Sequence, residues 1–395
     1  MNNHECRVCG NEKLDAVLDL GNQKIANYFH DNKGEELPEA PLVFARCPAC
    51  GMAQLTQSVN TDLMYRRYWY TSSMNDTMRQ HLLDDARLLM SKCSVSVRDV
   101  VIDIGCNDGT FLSCLPQSQK IGVDPSNIQP QGCEYIHDYF TYDAVREALR
   151  GRKAKVISSI AMFYDLSRPL DFVQDVRKAL RDDGVWLLEL SYLPRMVENT
   201  AYDSICHEHV AYYSLTCFMR LVDQTDFKVV SLDFNDMNGG SFRMMLSPKG
   251  EECPHVSEIM GRESDMGYLT EKPFVAFRGR VVESRARLCA FAEECVDHGA
   301  RVYGYGASTK GQVIMQYCDL SNLMVAIAER NEAKYGLHTP GTNVRICSEQ
   351  EMRAAQPDFL LVFPWYFIDE FLKRERSIRA SGTKIVVPLP KFAIM

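Results

Sequence analysis

The order of apolar and polar positions divides the chain into stretches of different period. Val100–Ile104 is a short apolar run interrupted only by Asp103, the pattern of a strand buried on both faces of a parallel sheet. It leads through a glycine-containing turn into a helix-like stretch from Thr110. The alternation continues: "KIGVDPS" predicts a second strand, "CEYIHDYF" a third and "KVISSIAMFYDL" a fourth, while "DFVQDVRKALRDDGVWLLEL" reads as helix, turn and fifth strand. A long helical pattern over about 272–298 opens a second series, with strands in "ARVYGYG", "NLMVAIAE", "PDFLLVF" and "TKIVVPLP". Alternating strands and helices predict doubly wound parallel sheets. The expected architecture is α/β in three parts: a small N-terminal domain (1–75), a central Rossmann-like domain (76–248) and a C-terminal Rossmann-like domain (249–395). Between the first two lies "LMYRRYWYTSSMNDTMRQH" (63–81), aromatic and polar without clean period until a helix begins near Asn75. It reads either as a packed linker or as a lid with Tyr68 or Tyr70 facing a cleft.

Composition narrows the function classes. At 395 residues, 46% hydrophobic and 24% charged, the chain is an ordinary globular sequence. No apolar run approaches the ~18–20 residues that span a bilayer, and "MNNHECRVCGNEK" lacks the regions of a signal peptide. A cytoplasmic protein is expected. A net charge of −8 argues against a nucleic-acid binder, but leaves room for a small anionic substrate held by local N–H groups and one or two cations. Three packed domains suit a monomer. Fifteen cysteines, an odd number and mostly in apolar stretches, suit reduced thiols better than a disulfide framework. Cys6, Cys9, Cys47 and Cys50 stand apart. They form two CxxCG knuckles, and four thiolates so arranged make the closed tetrahedral set of a structural zinc ion.

Two glycine turns and one histidine pair carry the candidate chemistry. Residues 103–109 read D-I-G-C-N-D-G, and Asp124 ends the next strand fifteen residues after Gly109. This is not the dinucleotide G-x-G-x-x-G. Its D-x-G-x-x-x-G form resembles the class I S-adenosylmethionine (AdoMet) methyltransferases. Asp103, Gly105, Asn107, Gly109, Asp124 and Tyr139 are the expected cofactor contacts, with Asp124 accepting from ribose hydroxyls. In "YGASTKG" (305–311), backbone N–H groups, Ser308 and Lys310 suit a phosphate at a helix start; a plain strand-to-helix turn is the alternative. "YDSICHEHVAYYSL" (202–215) sets His207, Glu208 and His209 among tyrosines. The i, i+2 spacing points the rings apart on a helix and together on a strand, with no third metal ligand evident nearby. General acid–base work is favoured: His209 as base, His207 as second candidate, Glu208 as orienter, and Tyr68 or Tyr212 as donors. Asn27, Tyr70 and Arg243 are candidate substrate contacts, although a strand arginine such as Arg243 is commonly just exposed.

Taken in order, "QKIANYF", "IDIGCNDGTF", "ICHEHVAYYSL", "NGGSFR", "YGASTKG" and "TPGT" resemble the nucleotide-sugar C-methyltransferases over essentially the whole chain. The resemblance implies AdoMet in the middle domain, structural zinc at the N-terminus, and methyl transfer to carbon 3 of a nucleotide-activated 4-keto-6-deoxyhexose in the cleft toward the C-terminal domain. Methylation at carbon 5, O- or N-methylation of a nucleotide sugar and an NAD(P)-dependent sugar oxidoreductase are the rival readings. One departure is plain. Some relatives carry a tyrosine immediately before HEH, where this chain has Cys206.

Overall fold

The computed structural model describes residues 5–31 and 36–395. Strands β1 (Asp15–Lys24), β2 (Glu39–Arg46) and β3 (Ala53–Leu55) form an antiparallel N-terminal sheet between and beside the cysteine knuckles. The helix Asp76–Lys92 follows; the Asn75 side chain caps it by accepting from the N–H groups of Thr77 and Met78.

The central domain opens with β4 (Val100–Ile104), buried at every position as an inner parallel strand should be. Then come β5 (Gln119–Val123), β6 (Glu134–Ile136), β7 (Ala154–Ile160) and β8 (Leu180–Ser191). After β8 the chain makes the HEH loop and a two-residue strand, β9 (Ala211–Tyr212), which leaves the central domain and pairs with β3. Strands β10 (Lys228–Asn235) and β11 (Ser241–Ser247) return to β8 as an antiparallel hairpin. The seven-stranded order is β10-β11-β8-β7-β4-β5-β6. An aromatic core of Phe163, Trp186, Tyr213 and Phe218, all fully buried, lies beneath the HEH loop.

After the long helix Lys272–Asp297 a second parallel sheet forms from β12 (Val302–Tyr305), β13 (Met324–Glu329), β14 (Ile346–Ser348), β15 (Phe359–Val362) and β16 (Lys384–Val387), with β17 (Ala393–Ile394) on its edge. Its order is β14-β13-β12-β15-β16-β17. The cores of both sheets, β6-β5-β4-β7-β8 and β14-β13-β12-β15-β16, share one strand order. In each, the order reverses beside the first strand, where open α/β sheets hold ligands. The architecture is mixed α/β, with a cysteine-bearing N-terminal domain followed by two Rossmann-like sheets. Among the described residues no helix is long and apolar enough to cross a membrane.

Candidate active site

One cavity of about 720 Å³ runs between the C-terminal ends of the two parallel sheets, roofed by the segment between the N-terminal and central domains. That segment faces the cavity with Tyr65, Tyr68, Trp69 and Tyr70, the lid-like arrangement of the two expected. It is tied down on both sides. Asn107 donates its amide to the Tyr70 carbonyl and accepts from the Ser72 N–H. Asn331 of the C-terminal domain donates to the Trp69 carbonyl.

The HEH stretch is neither helix nor strand but a loop whose two rings diverge. His207 donates Nε2–H to the Ala40 carbonyl of β2 at 2.9 Å, clipping the loop to the N-terminal sheet, and lies outside the cavity. His209 instead lines the cavity with Glu208. Its Nδ1–H donates to the Ser204 carbonyl at 3.1 Å, and Tyr164 packs edge-on against the ring at 4.4 Å. That bond fixes the tautomer and leaves the Nε2 lone pair free. Burial, reinforced by the Lys310 charge, lowers His209 to about 3, so the imidazole rests neutral. Burial pushes Glu208 up to about 7, against the opposing effects of the Thr309 hydroxyl and the Lys334 charge. Glu208 Oε1 is buried without a hydrogen-bond partner.

Two phenols and a second carboxyl complete this centre. Tyr65 donates to the Glu208 main-chain carbonyl at 3.2 Å. Burial holds the Tyr65 and Tyr68 phenols well above their ordinary range, so both keep their protons as donors. Burial, then Glu208, raises Asp165 well above the carboxylate range, and its Oδ1 is unpartnered. Sequence reading passed over Tyr65 and Asp165. The signal for Asp165 was its place just past the fourth strand of a doubly wound sheet.

In the cofactor half, Asp103, Gly105, Asn107, Asp124 and Tyr139 all line the cavity. Asp103 accepts from the Ser158 hydroxyl at 2.6 Å, and burial raises its carboxyl to about 7. Asp124 Oδ2 accepts from the Asn107 N–H and Oδ1 from the Ser126 N–H, both at 2.8 Å, which aims the carboxylate across the end of β5. Tyr139 donates to Asp62. Gly109 stays outside the cavity. It starts the following short helix at φ +81°, where a Cβ would press to 3.1–3.2 Å on Pro130 and Gln131.

In the other half, Asn27, Tyr70, Ser308 and Lys310 also face the cavity. Asn27 donates to the Met64 and Arg67 carbonyls. Ser308 caps the helix Thr309–Tyr317 through the Gly311 N–H. The Lys310 ammonium donates to the Asn238 carbonyl at 2.9 Å above the Tyr366 ring. Arg243 lies elsewhere: it is neither exposed nor at the cavity, but pairs with Asp85 and Asp233 beneath the helix Asp76–Lys92. Tyr212 is likewise outside, its hydroxyl on the Ser204 carbonyl and its ring edge-on to Phe44.

The four knuckle cysteines converge. Cys6 and Cys50 Sγ are 3.4 Å apart, Cys9 and Cys47 Sγ 3.6 Å, and all four sulfurs fall within 4.8 Å of one another. Four converging sulfurs fit one tetrahedral zinc ion, and none of these residues touches the cavity. A third donor also stands near HEH, which the spacing alone did not reveal: Cys206 Sγ joins Glu208 and His209 within 4.8 Å. The Lys310 ammonium acts on both Cys206 and His209, so a cation seated there would meet like charge.

Three family models match the chain: a zinc-binding domain over 6–65, a methyltransferase domain over 76–232 and a C-methyltransferase C-terminal domain over 236–390. The C-methyltransferase NovU of Streptomyces niveus is 27% identical across 98% of this chain and 96% of the relative. Among solved structures, the complex between the Haloferax volcanii Trm112 methyltransferase activator and a methyltransferase covers 44% of this chain and 95% of that one, at 12% identity and a TM-score of 0.35. The plantazolicin methyltransferase BpumL bound to SAH covers 44% and 86%, at 14% identity and a TM-score of 0.33. Overlays that loose carry no weight beside the sequence matches. The matched domains follow one another as the three sheets do, and a match to NovU runs through them all. The chain is an S-adenosylmethionine-dependent methyltransferase with an N-terminal zinc-binding domain, and its C-terminal domain matches that of the C-methyltransferases.

Proposed function

We propose that the chain places a methyl group on carbon 3 of a nucleotide-linked 4-keto-6-deoxyhexose through an enolate. One observation carries this reading: Glu208 and His209 stand at the junction of a single cavity whose two halves end on two Rossmann-like sheets. A small acceptor between those halves meets the acid–base pair and the cofactor together. Of the relative, the printed name says only that NovU is a C-methyltransferase.

AdoMet supplies an electrophilic methyl group, held by Asp103, Gly105, Asn107, Asp124 and Tyr139. The remaining work falls to this chain's side chains. Carbon attacks only after it loses a proton, and the proton alpha to a ketone is far less acidic than any side chain. A base and a stabiliser for the enolate oxygen are therefore both required. Neutral His209 takes the carbon-3 proton on Nε2 while its Nδ1–H stays on the Ser204 carbonyl. The electron pair of that C–H bond moves to the carbon-4 oxygen, where the Tyr68 O–H donor is worth about 3 kcal/mol. Glu208, once ionised, offsets the new imidazolium charge. The pair would then return through carbon 3 to the methyl carbon that bound AdoMet presents, the C–CH3 bond forming as the methyl–sulfur bond breaks and its electron pair stays on the sulfur of S-adenosylhomocysteine. Roofing by the 65–70 aromatics keeps water from the enolate.

The test is mass spectrometry of the protein with AdoMet and dTDP-, GDP- and CDP-4-keto-6-deoxyhexoses in D2O. Gain of one methyl group on carbon, with exchange at carbon 3, is the expected result. A methyl on oxygen or nitrogen, without exchange, overturns the enolate. Exchange and methylation at carbon 5 overturn the position.

A further inference from the structure

The C-terminal unit repeats the glycine and acid contacts of the central unit's cofactor-binding corner. In the central unit, Gly105 leaves β4 and donates its N–H to the Val123 carbonyl at 2.8 Å; Asp124 follows and accepts the N–H of Ser126, two residues on. In the C-terminal unit, Gly306 leaves β12 and donates its N–H to the Ala328 carbonyl at 2.9 Å. Glu329 follows and accepts the N–H of Asn331, again two residues on, at 3.1 Å. Both glycines have positive φ, +72° and +86°. Both back onto the second residue past the neighbouring strand: a Cβ on Gly105 would lie 3.2 Å from Met162, and one on Gly306 2.6 Å from Pro364. Both acids line the cavity.

We infer that Glu329 holds the 2′,3′-diol of a ribose, so that the sugar nucleotide is built on a ribonucleoside diphosphate and not on a 2′-deoxyribonucleoside one. The inference rests on the nucleotide-sugar reading above and adds the class of nucleotide. A carboxylate at the end of the second strand of such a sheet is where vicinal ribose hydroxyls are accepted. Glu329 has capacity for them. Its Oε1 takes the N–H groups of Arg330 and Asn331. Its Oε2 has only the Lys334 ammonium, 3.6 Å away and beyond hydrogen-bond reach. Asp124 has less to spare, because the Asn107 N–H occupies its second oxygen. Lys334 is itself fixed, donating to the Ala307 carbonyl at 2.9 Å with its ammonium 4.5 Å from the Phe29 ring centre, and so it steadies the carboxylate without covering it. A deoxyribose would leave this partly buried acceptor short of a donor, and unmade hydrogen bonds to charged groups are where binding sites discriminate most.

The experiment is calorimetric titration of the protein, saturated with S-adenosylhomocysteine, with paired probes: ribothymidine diphosphate and dTDP, GDP and dGDP, CDP and dCDP, UDP and dUDP. For whichever base binds, the ribose form should bind about tenfold more tightly than its 2′-deoxy partner, the cost of one hydrogen bond to a charged acceptor. In Glu329→Gln that ratio should collapse toward unity, chiefly through weaker binding of the ribose form. Equal affinity within every pair for the wild-type protein overturns the inference and leaves the nucleotide-sugar reading standing, as does an unchanged ratio in Glu329→Gln. If no nucleoside diphosphate of either kind binds, the nucleotide-sugar reading itself fails and takes the inference with it.

Discussion

The central and C-terminal Rossmann-like units present the same corner to one cavity, yet the side chains they bring to it differ in charge. From the described part of the central sheet and its loops come Asp103, Asp124 and Asp138, with no lysine or arginine, while Asp165 is raised well above the carboxylate range and adds no charge. From the C-terminal unit come Lys310, Arg330, Lys334 and Arg374, set against Glu329, Glu349 and Glu370. Strand order determines where a ligand lies in such a sheet, because it makes the crevice. Charge then determines which ligand is welcome there. A sulfonium cation suits an acid-lined half, and a diphosphate suits one that carries cations.

The sharpest way to break the comparison is at the seam, where neither unit is sufficient alone. His209→Asn should keep AdoMet affinity while lowering turnover roughly 10²–10⁴-fold and abolishing deuterium exchange at the acceptor carbon; unchanged exchange would move the base elsewhere. Acidity gives the next largest effect. Burial raises Glu208 to about 7, so its carboxylate form grows between about pH 6 and pH 8, and kcat/KM should rise across that interval. That limb should vanish in Glu208→Gln. Next comes Asp124→Asn, which should weaken AdoMet binding about tenfold and leave nucleotide affinity alone, the mirror image of a lesion at Glu329. The smallest effect sharpens the charge contrast. Raising salt from about 50 to about 500 mM should weaken nucleotide binding several-fold while changing AdoMet affinity less; equal loss on both sides would erase the distinction.

What could be read from the sequence followed from how local each signal is. The CxxCG knuckles and the Asp103–Asp124 corner depend on spacing within one or two elements, and their groups come together in space. The same reasoning applied to Gly306 would have found Glu329, eighteen residues past Gly311. The order of His209 before His207 as base had no geometric support in the spacing, because i, i+2 fixes relative direction only on a helix or a strand. Here a loop sends one ring to Ala40 and the other to the cavity. Arg243 was harder still: Asp85 lies 158 residues away and is brought to it by packing of the helix Asp76–Lys92. Tyr212 looked like a donor beside HEH, but its hydroxyl is held by the Ser204 carbonyl and its ring packs on Phe44 in the core.

The short pairing of β9 with β3 decides how this molecule can be inherited. The loop bearing Glu208 and His209 is encoded in the middle of the chain, but it is finished as an edge strand of the N-terminal sheet, with Ala211 against Gln54 and Tyr212 against Ala53. His207 adds a second stitch to β2. A recombination joint at the linker would therefore separate the reactive loop from the surface that shapes it, even with each half intact. The glycine corner of β12 and β13, by contrast, is complete within one sheet and would survive such a joint.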